Sequence, residues 1–304
     1  MRAALTAITD ELRRLKTTGV KTVTVSDESV AALRRVVASR RSGFTPDTKS
    51  AAPLAMSRVK PDLRPIPVAA RPAPVSTGTP IPPPPTVVLP TGDKQTRWNA
   101  LLALVQNDAV CRSHVRPGKK VVLGVGNVDA KIMFVGEAPG AEEEVQGEPF
   151  VGPAGQLLTK MIQAMGLQRA EVYIGNIMNW RPEMATAPGA GQVGNRPPTE
   201  DEMRYCLPYL RAQIEVVNPD LLVALGTTAA QGLLGFGSFK AIGEIRGQWR
   251  EFAGKPLMVT YHPSYILRNQ SNRSKRMIWE DLLKVMERAA MPISDKQRGF
   301  FLSK

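Results

Sequence analysis

The run Gly136-Glu137-Ala138-Pro139-Gly140 leads into Glu142-Glu143-Glu144, then Pro149-Phe150, Gly152 and Gly155. Glycines allow turns and close ligand approach that other residues resist, and Pro139 stiffens the turn. Carboxylates beside an aromatic ring are the parts needed to activate water and stack a planar base. The glutamates also suit a solvated acidic helix start, and Phe150 a core ring. Asn176 closes an apolar run. Its amide offers one acceptor and two donors, enough to read a base edge, although asparagine there also serves turns and caps. His262, one of two histidines, stands beside Pro263. It could polarise a substrate oxygen or simply bond to backbone. Ile266 and Leu267 precede Arg268. Such an apolar pair could wedge into a nucleic acid while the arginine holds phosphate, or it could simply pack.

These positions matter because of the elements that precede them. Four β-rich runs are read as strands: Lys131–Val135, Glu171–Gly175, Asp220–Leu225 and Pro256–Tyr261. Helical patterns fall at Pro153–Met165, Thr199–Val217, Thr227–Leu234 and Lys275–Ala289, with an entry helix around Trp98, Leu101, Leu102 and Val105. Thr199 with Glu202 forms a capping-box signature. Alternating strands and helices predict an α/β fold, a parallel sheet covered on both faces. Ligands of such sheets bind beyond the carboxyl ends of the strands, where the residues above lie. No GxGxxG loop is present, and Gly124-Val125-Gly126 reads as a hairpin-like turn.

The chain has 304 residues and a formal net charge of +13. Residues 1–95 hold 15 Lys and Arg against 7 Asp and Glu, a net of +8. A basic balance favours a polyanionic partner such as nucleic acid. Residues 1–40 read as a small module or arm, with Leu5, Ile8, Leu12 and Leu15 at helical spacing. Residues 41–95 read as a Pro-rich linker, since 13 of the 26 prolines lie between Pro46 and Pro90 and such composition cannot offset chain entropy. Residues 96–290 are read as the domain that carries the candidate catalytic residues, and 291–304 as a tail. Two cysteines, Cys111 and Cys206, exclude a disulfide framework or an all-cysteine metal site within one chain. The absence of an apolar run of spanning length and of a signal-peptide core predicts a cytoplasmic protein, here expected to be monomeric.

The ordered blocks KIMFVGEAPGAEEEVQGEPFVGPAGQLL, VYIGNIMNWRP, NRPPTEDEMRYC, VALGTTAA, IRGQW and YHPSYILR resemble the uracil-DNA glycosylase superfamily, family 4, from about Arg97 to Ala289. The resemblance implies a three-layer αβα sandwich with a four-stranded parallel sheet. It implies a DNA glycosylase that hydrolyses the N-glycosidic bond of flipped-out uracil in DNA and leaves an abasic site. Phe150 matches the stacking aromatic, Asn176 the uracil reader, and His262 the histidine at uracil O2. Glu137 and Glu143 match two glutamates, with water assigned to Glu143 and support to Glu137. Ala138 and Gly140 bring backbone amides to the base. A [4Fe–4S] cluster is typical of the family. Here Cys206 takes the fourth ligand position, Trp180 stands at the third, and Cys111 alone remains near the first pair, so the resemblance implies a cluster that is lost, with no metal or other cofactor. A branch that bonds covalently to DNA carries a histidine in a basic insertion; Glu183–Gly194 has no His, Lys or Arg. The implied partner is uracil-containing DNA, with a further protein possible for the N-terminal module. The alternatives are a non-catalytic nucleic-acid-binding module of the same fold, or a glycosylase for another deaminated base.

Overall fold

The computed structural model describes residues 81–186 and 191–302; the N-terminal module and most of the Pro-rich segment lie outside the described residues. Residues 81–90 have no regular secondary structure, with Ile81, Val87 and Leu89 half-buried against the core. The entry helix α1 (Lys94–Asn107) starts at Asp93, whose carboxylate accepts from the Thr96 amide at 2.7 Å. A short α2 (Ala109–Ser113) follows, capped by Asp108.

Six strands form one sheet: β1 (Val125–Gly126), β2 (Ile132–Gly136), β3 (Tyr173–Asn176), β4 (Leu221–Leu225), β5 (Trp249–Phe252) and β6 (Lys255–Thr260), in the order β1-β3-β2-β4-β6-β5. The inner four are parallel, as expected, and lie within a residue or two of the predicted runs. The sheet is wider than the four strands expected, because β1 and β5 add antiparallel edges. Val125-Gly126 is therefore an edge strand rather than a turn. β5 joins β6 through Ala253-Gly254, both at positive φ of 52° and 73°, the conformation that two-residue hairpins need.

Side-chain alternation along the strands sorts residues to two cores. On β2, Met133 and Val135 face one cluster with α1, α5 (Glu200–Val217) and α6 (Thr227–Leu234), while Ile132 and Phe134 face the other with α4 (Pro153–Ala164) and α9 (Asn272–Arg288). A short α3 (Glu143–Gln146) precedes α4, and a short α7 (Ile242–Ile245) precedes β5. The result is the three-layer αβα arrangement. The capping box at α5 is present: Thr199 accepts from the Glu202 amide at 3.2 Å, and Glu202 accepts from the Thr199 amide at 2.6 Å. Beyond α9, a turn of helix α10 (Asp295–Arg298) folds back, and the Trp279 indole donates to the Gln297 carbonyl at 2.6 Å. Among the described residues no helix is long and apolar enough to cross a membrane.

Topology sets the site. From β2 the chain moves to one side for β3, then crosses back to the other side for β4 and β6. Strand order thus reverses at β2, where open α/β sheets leave a crevice. Register aligns Gly136 with Asn176 and Leu225 with Thr260, so the β2 and β3 ends meet side by side, and the loop after β4 meets the one after β6.

Candidate active site

A cavity of about 660 Å³ opens at these strand ends. Eight of the ten sequence-predicted residues line it: Glu137, Ala138, Gly140, Glu143, Phe150, Asn176, His262 and Arg268. Ile266 does not reach it. This side chain is 8% exposed and packs in the core cluster beneath α8 (Pro263–Arg268), so the expected apolar pair reduces to Leu267, which is 41% exposed. Helical geometry explains the split, since adjacent residues on one turn point about 100° apart.

Asn176 and Phe150 meet across Gly136. A Cβ at Gly136 would lie 2.5 Å from Asn176 Oδ1 and 2.5 Å from the Phe150 ring, so this glycine permits the close approach. Asn176 is 6% exposed, and its Oδ1 has no hydrogen-bond partner. An acceptor buried without a partner is costly and marks a place where a donor is expected. Phe150 holds a left-handed backbone, φ 55°, a conformation that non-glycine residues reach only when surroundings impose it. Gly155 on α4 supplies that room, because a Cβ there would sit 1.8 Å from the Phe150 carbonyl oxygen.

The two glutamates differ. Glu143 Oε2 accepts from the Gly140 amide at 3.0 Å, and its Oε1 from the Val151 and Gly152 amides at 3.1 Å each. Its carboxylate ties the two ends of the glycine-rich loop together. Glu137 is half-buried, and burial pushes its carboxyl above the usual range, partly offset by the Thr228 hydroxyl.

His262 Nδ1 accepts from the Ser264 amide at 3.2 Å and lies 2.9 Å from the Ser264 hydroxyl. That assigns the proton of the neutral ring to Nε2. Burial, reinforced by the Arg268 charge, lowers its pKa to about 4, so the ring is neutral at physiological pH. Its centroid lies 5.6 Å from that of Phe150. The cavity also takes Thr228, Asn195, Arg196, Tyr261 and Tyr265, none of which the sequence reading gave a role. Thr228 follows β4, and the strand-end rule applied there would have found it.

The positions that the resemblance assigns to a cluster are filled by packed side chains. Cys111, Trp180 and Cys206 are all fully buried and share one core cluster. Trp180 stacks on His114 at 4.8 Å between centroids. Asp108 accepts from the Tyr205 and Tyr209 hydroxyls at 2.8 Å each and from the Cys111 amide at 2.7 Å. The neighbouring Cys206 and burial hold the Cys111 thiol protonated. Among the described residues no three His, Cys, Asp or Glu side chains converge as a metal site. A [4Fe–4S] cluster is held by four thiolates; the whole chain has two cysteines, and Trp180 fills the position that the resemblance gives to a third. The residues present do not fit that group.

Residues 123–283 match the family model of the uracil DNA glycosylase superfamily, and the chain belongs to that superfamily. Within it, the chain is similar to enzymes of type 4. The type-4 uracil-DNA glycosylase of Thermotoga maritima is 42% identical over 181 residues, 59% of this chain and 88% of that one. That of Saccharolobus solfataricus is 40% identical over 176 residues, 56% and 76% of the two chains. That of Archaeoglobus fulgidus is 42% identical over 152 residues, 48% and 71%.

Proposed function

We infer that this chain is a uracil-DNA glycosylase of base excision repair. It hydrolyses the N-glycosidic bond of a uracil flipped out of DNA and leaves an abasic site. The observation that carries the reading is the unpartnered, buried Asn176 Oδ1 beside the Phe150 ring. Uracil offers a donor at N3 and an acceptor at O4, the complement of an amide edge; cytosine offers the reverse order. Extruding a base costs a few kcal/mol, and stacking on Phe150 returns ~1–3 kcal/mol. Bond breakage puts negative charge on uracil, which His262 Nε2–H would meet at O2, while a carboxylate steadies the sugar cation and orients water. The test is abasic-site formation on a uracil-containing oligonucleotide, read by alkaline cleavage beside hypoxanthine and xanthine substrates. Binding without cleavage would favour a non-catalytic module, and preference for a purine would favour another deaminated base.

The water-handling part goes to Glu137 rather than Glu143, since the Glu143 carboxylate is engaged by three backbone amides. Glu137→Gln is expected to lower single-turnover excision by about 10²-fold, the low end of general acid–base effects, with thermal stability unchanged. Glu143→Gln is expected to lower the melting temperature as well as the rate, because it weakens the loop. Equal melting temperatures and a larger rate loss for Glu143→Gln would return the water to Glu143.

The enzyme works without an iron–sulfur cluster in this reading. Purified protein is expected to be colourless with no stoichiometric iron; a broad visible absorbance with matching iron content would overturn it. We propose that the enzyme is monomeric and cytoplasmic. The +8 charge of residues 1–95 acts on DNA by counterion release. A chain beginning at Ile81 is expected to give a shallower slope of log K against log salt than the full chain. Equal slopes would instead point to a protein partner for the N-terminal module.

A further inference from the structure

Two rings in the cavity have no part in the chemistry described above. Tyr261 and Tyr265 stack with centroids 4.3 Å apart and planes 14° from parallel, and both are half-buried and line the cavity. The Arg246 guanidinium lies 5.6 Å from the Tyr261 centroid. That guanidinium is fixed: its Nε donates to Asp281 at 3.1 Å, its Nη2 to Asp281 at 2.6 Å and to the Met277 carbonyl. Tyr261 is thus in contact with both a fixed guanidinium and the Tyr265 ring, and the tyrosine pair lines the cavity. On the same short helix as Tyr265, Arg268 Nη1 donates to the Ser264 hydroxyl at 3.2 Å, which sets a cation in the lining of the same cavity.

A uracil held between Phe150 and Asn176 leaves its neighbours in the strand without a stacking partner on one side. We propose that Tyr265, backed by Tyr261 and Arg246, is a stacking platform for the base adjacent to the flipped uracil in the same strand. This rests on the uracil-glycosylase reading and extends it to a second nucleotide subsite. The platform is indifferent to base identity, since every base has a π-face. It therefore requires a neighbouring base without selecting a sequence.

The experiment uses the full chain and single-stranded oligonucleotides with one uracil. The uracil is flanked by natural bases, or by a tetrahydrofuran spacer on its 5′ side or its 3′ side. In the wild type, the spacer on one side is expected to raise KM by about tenfold, in keeping with loss of one base–aromatic stack, with a smaller effect on kcat. Tyr265→Leu is expected to bring the natural substrate to the level of the spacer substrate and to erase the difference between them. Tyr265→Phe is expected to keep that difference. Tyr265→Met provides a second ring-free side chain if the leucine variant does not fold. Wild-type indifference to both spacers, or an undiminished spacer effect in the ring-free variants, overturns the platform. Loss of the difference in Tyr265→Phe overturns it in favour of a phenol hydrogen bond. Failure of the wild type to excise uracil from any substrate would instead overturn the glycosylase reading, so the two failures are distinct.

Discussion

His262→Ala is expected to lower single-turnover uracil excision by about 10²–10³-fold, the usual cost of deleting one donor from a site that stabilises developing negative charge. DNA affinity should change little, because the ring faces the base pocket and carries no charge at neutral pH. The size of the effect follows from preorganisation. Nδ1 is engaged by the Ser264 amide, which leaves the proton on Nε2 and holds the ring without reorganisation during the reaction. The pH dependence separates this donor from a charged one. The imidazole takes up a proton only near pH 4, so no limb of the kcat/KM profile should fall at the ordinary histidine value of 6.5. The acid limb is expected to come from Glu137, whose carboxyl is raised by burial above its ordinary range. Activity that needs the carboxylate rises with pH through that raised value, and Glu137→Gln removes the limb. A histidine-like limb that survives in Glu137→Gln and disappears in His262→Ala would show that His262 acts in its charged form.

The inner sheet could be read directly because its signals are local. Apolar runs such as KIMFV and DLLVAL have nowhere to go but a buried parallel sheet, and the Thr199–Glu202 box marks a helix start within a few residues of sequence. The edges were not readable in the same way. β1 is two residues long, and β5 has only one buried residue, Phe252, so each gains its strand character from a partner distant in sequence. The cavity residues stood out because strand ends at a switch point collect chemistry. What the residues do there depends on partners that sequence separation hides. Glu137 and Glu143 look interchangeable until the Val151 and Gly152 amides arrive from the far end of the loop. Ile266 and Leu267 look like one wedge until the turn of α8 sends one into the core. Tyr261 and Tyr265 are four apart across a strand-to-helix junction, where neither period predicts that two rings will stack.

Asp281 supports the prediction with the largest effect on stability. It lies on α9 with Ile278, Leu282 and Val285, all turned to the core. A carboxylate there is costly unless it is paired and hydrogen-bonded. It is 1% exposed and accepts from Arg246 and from the Thr260 hydroxyl, the latter at 2.6 Å. Burial raises its pKa to about 6, so at neutral pH it bonds Arg246 mainly as a charge. Removing one member of such a group strands the other: Asp281→Ala is expected to cost about 3–5 kcal/mol in unfolding free energy, a large part of a typical domain's ~5–15 kcal/mol. Asp281→Asn keeps an acceptor for Thr260 and should cost less. The same residues brace the end of β6 just before Tyr261 and His262, so folded Asp281→Asn should also excise uracil more slowly, without a shift in the acid limb set by Glu137. Urea unfolding of both variants beside the wild type reads the first effect and single-turnover excision reads the second. An Asp281→Ala midpoint equal to that of the wild type would show that Arg246 and Thr260 find other partners and that the braced strand end does not depend on this carboxylate.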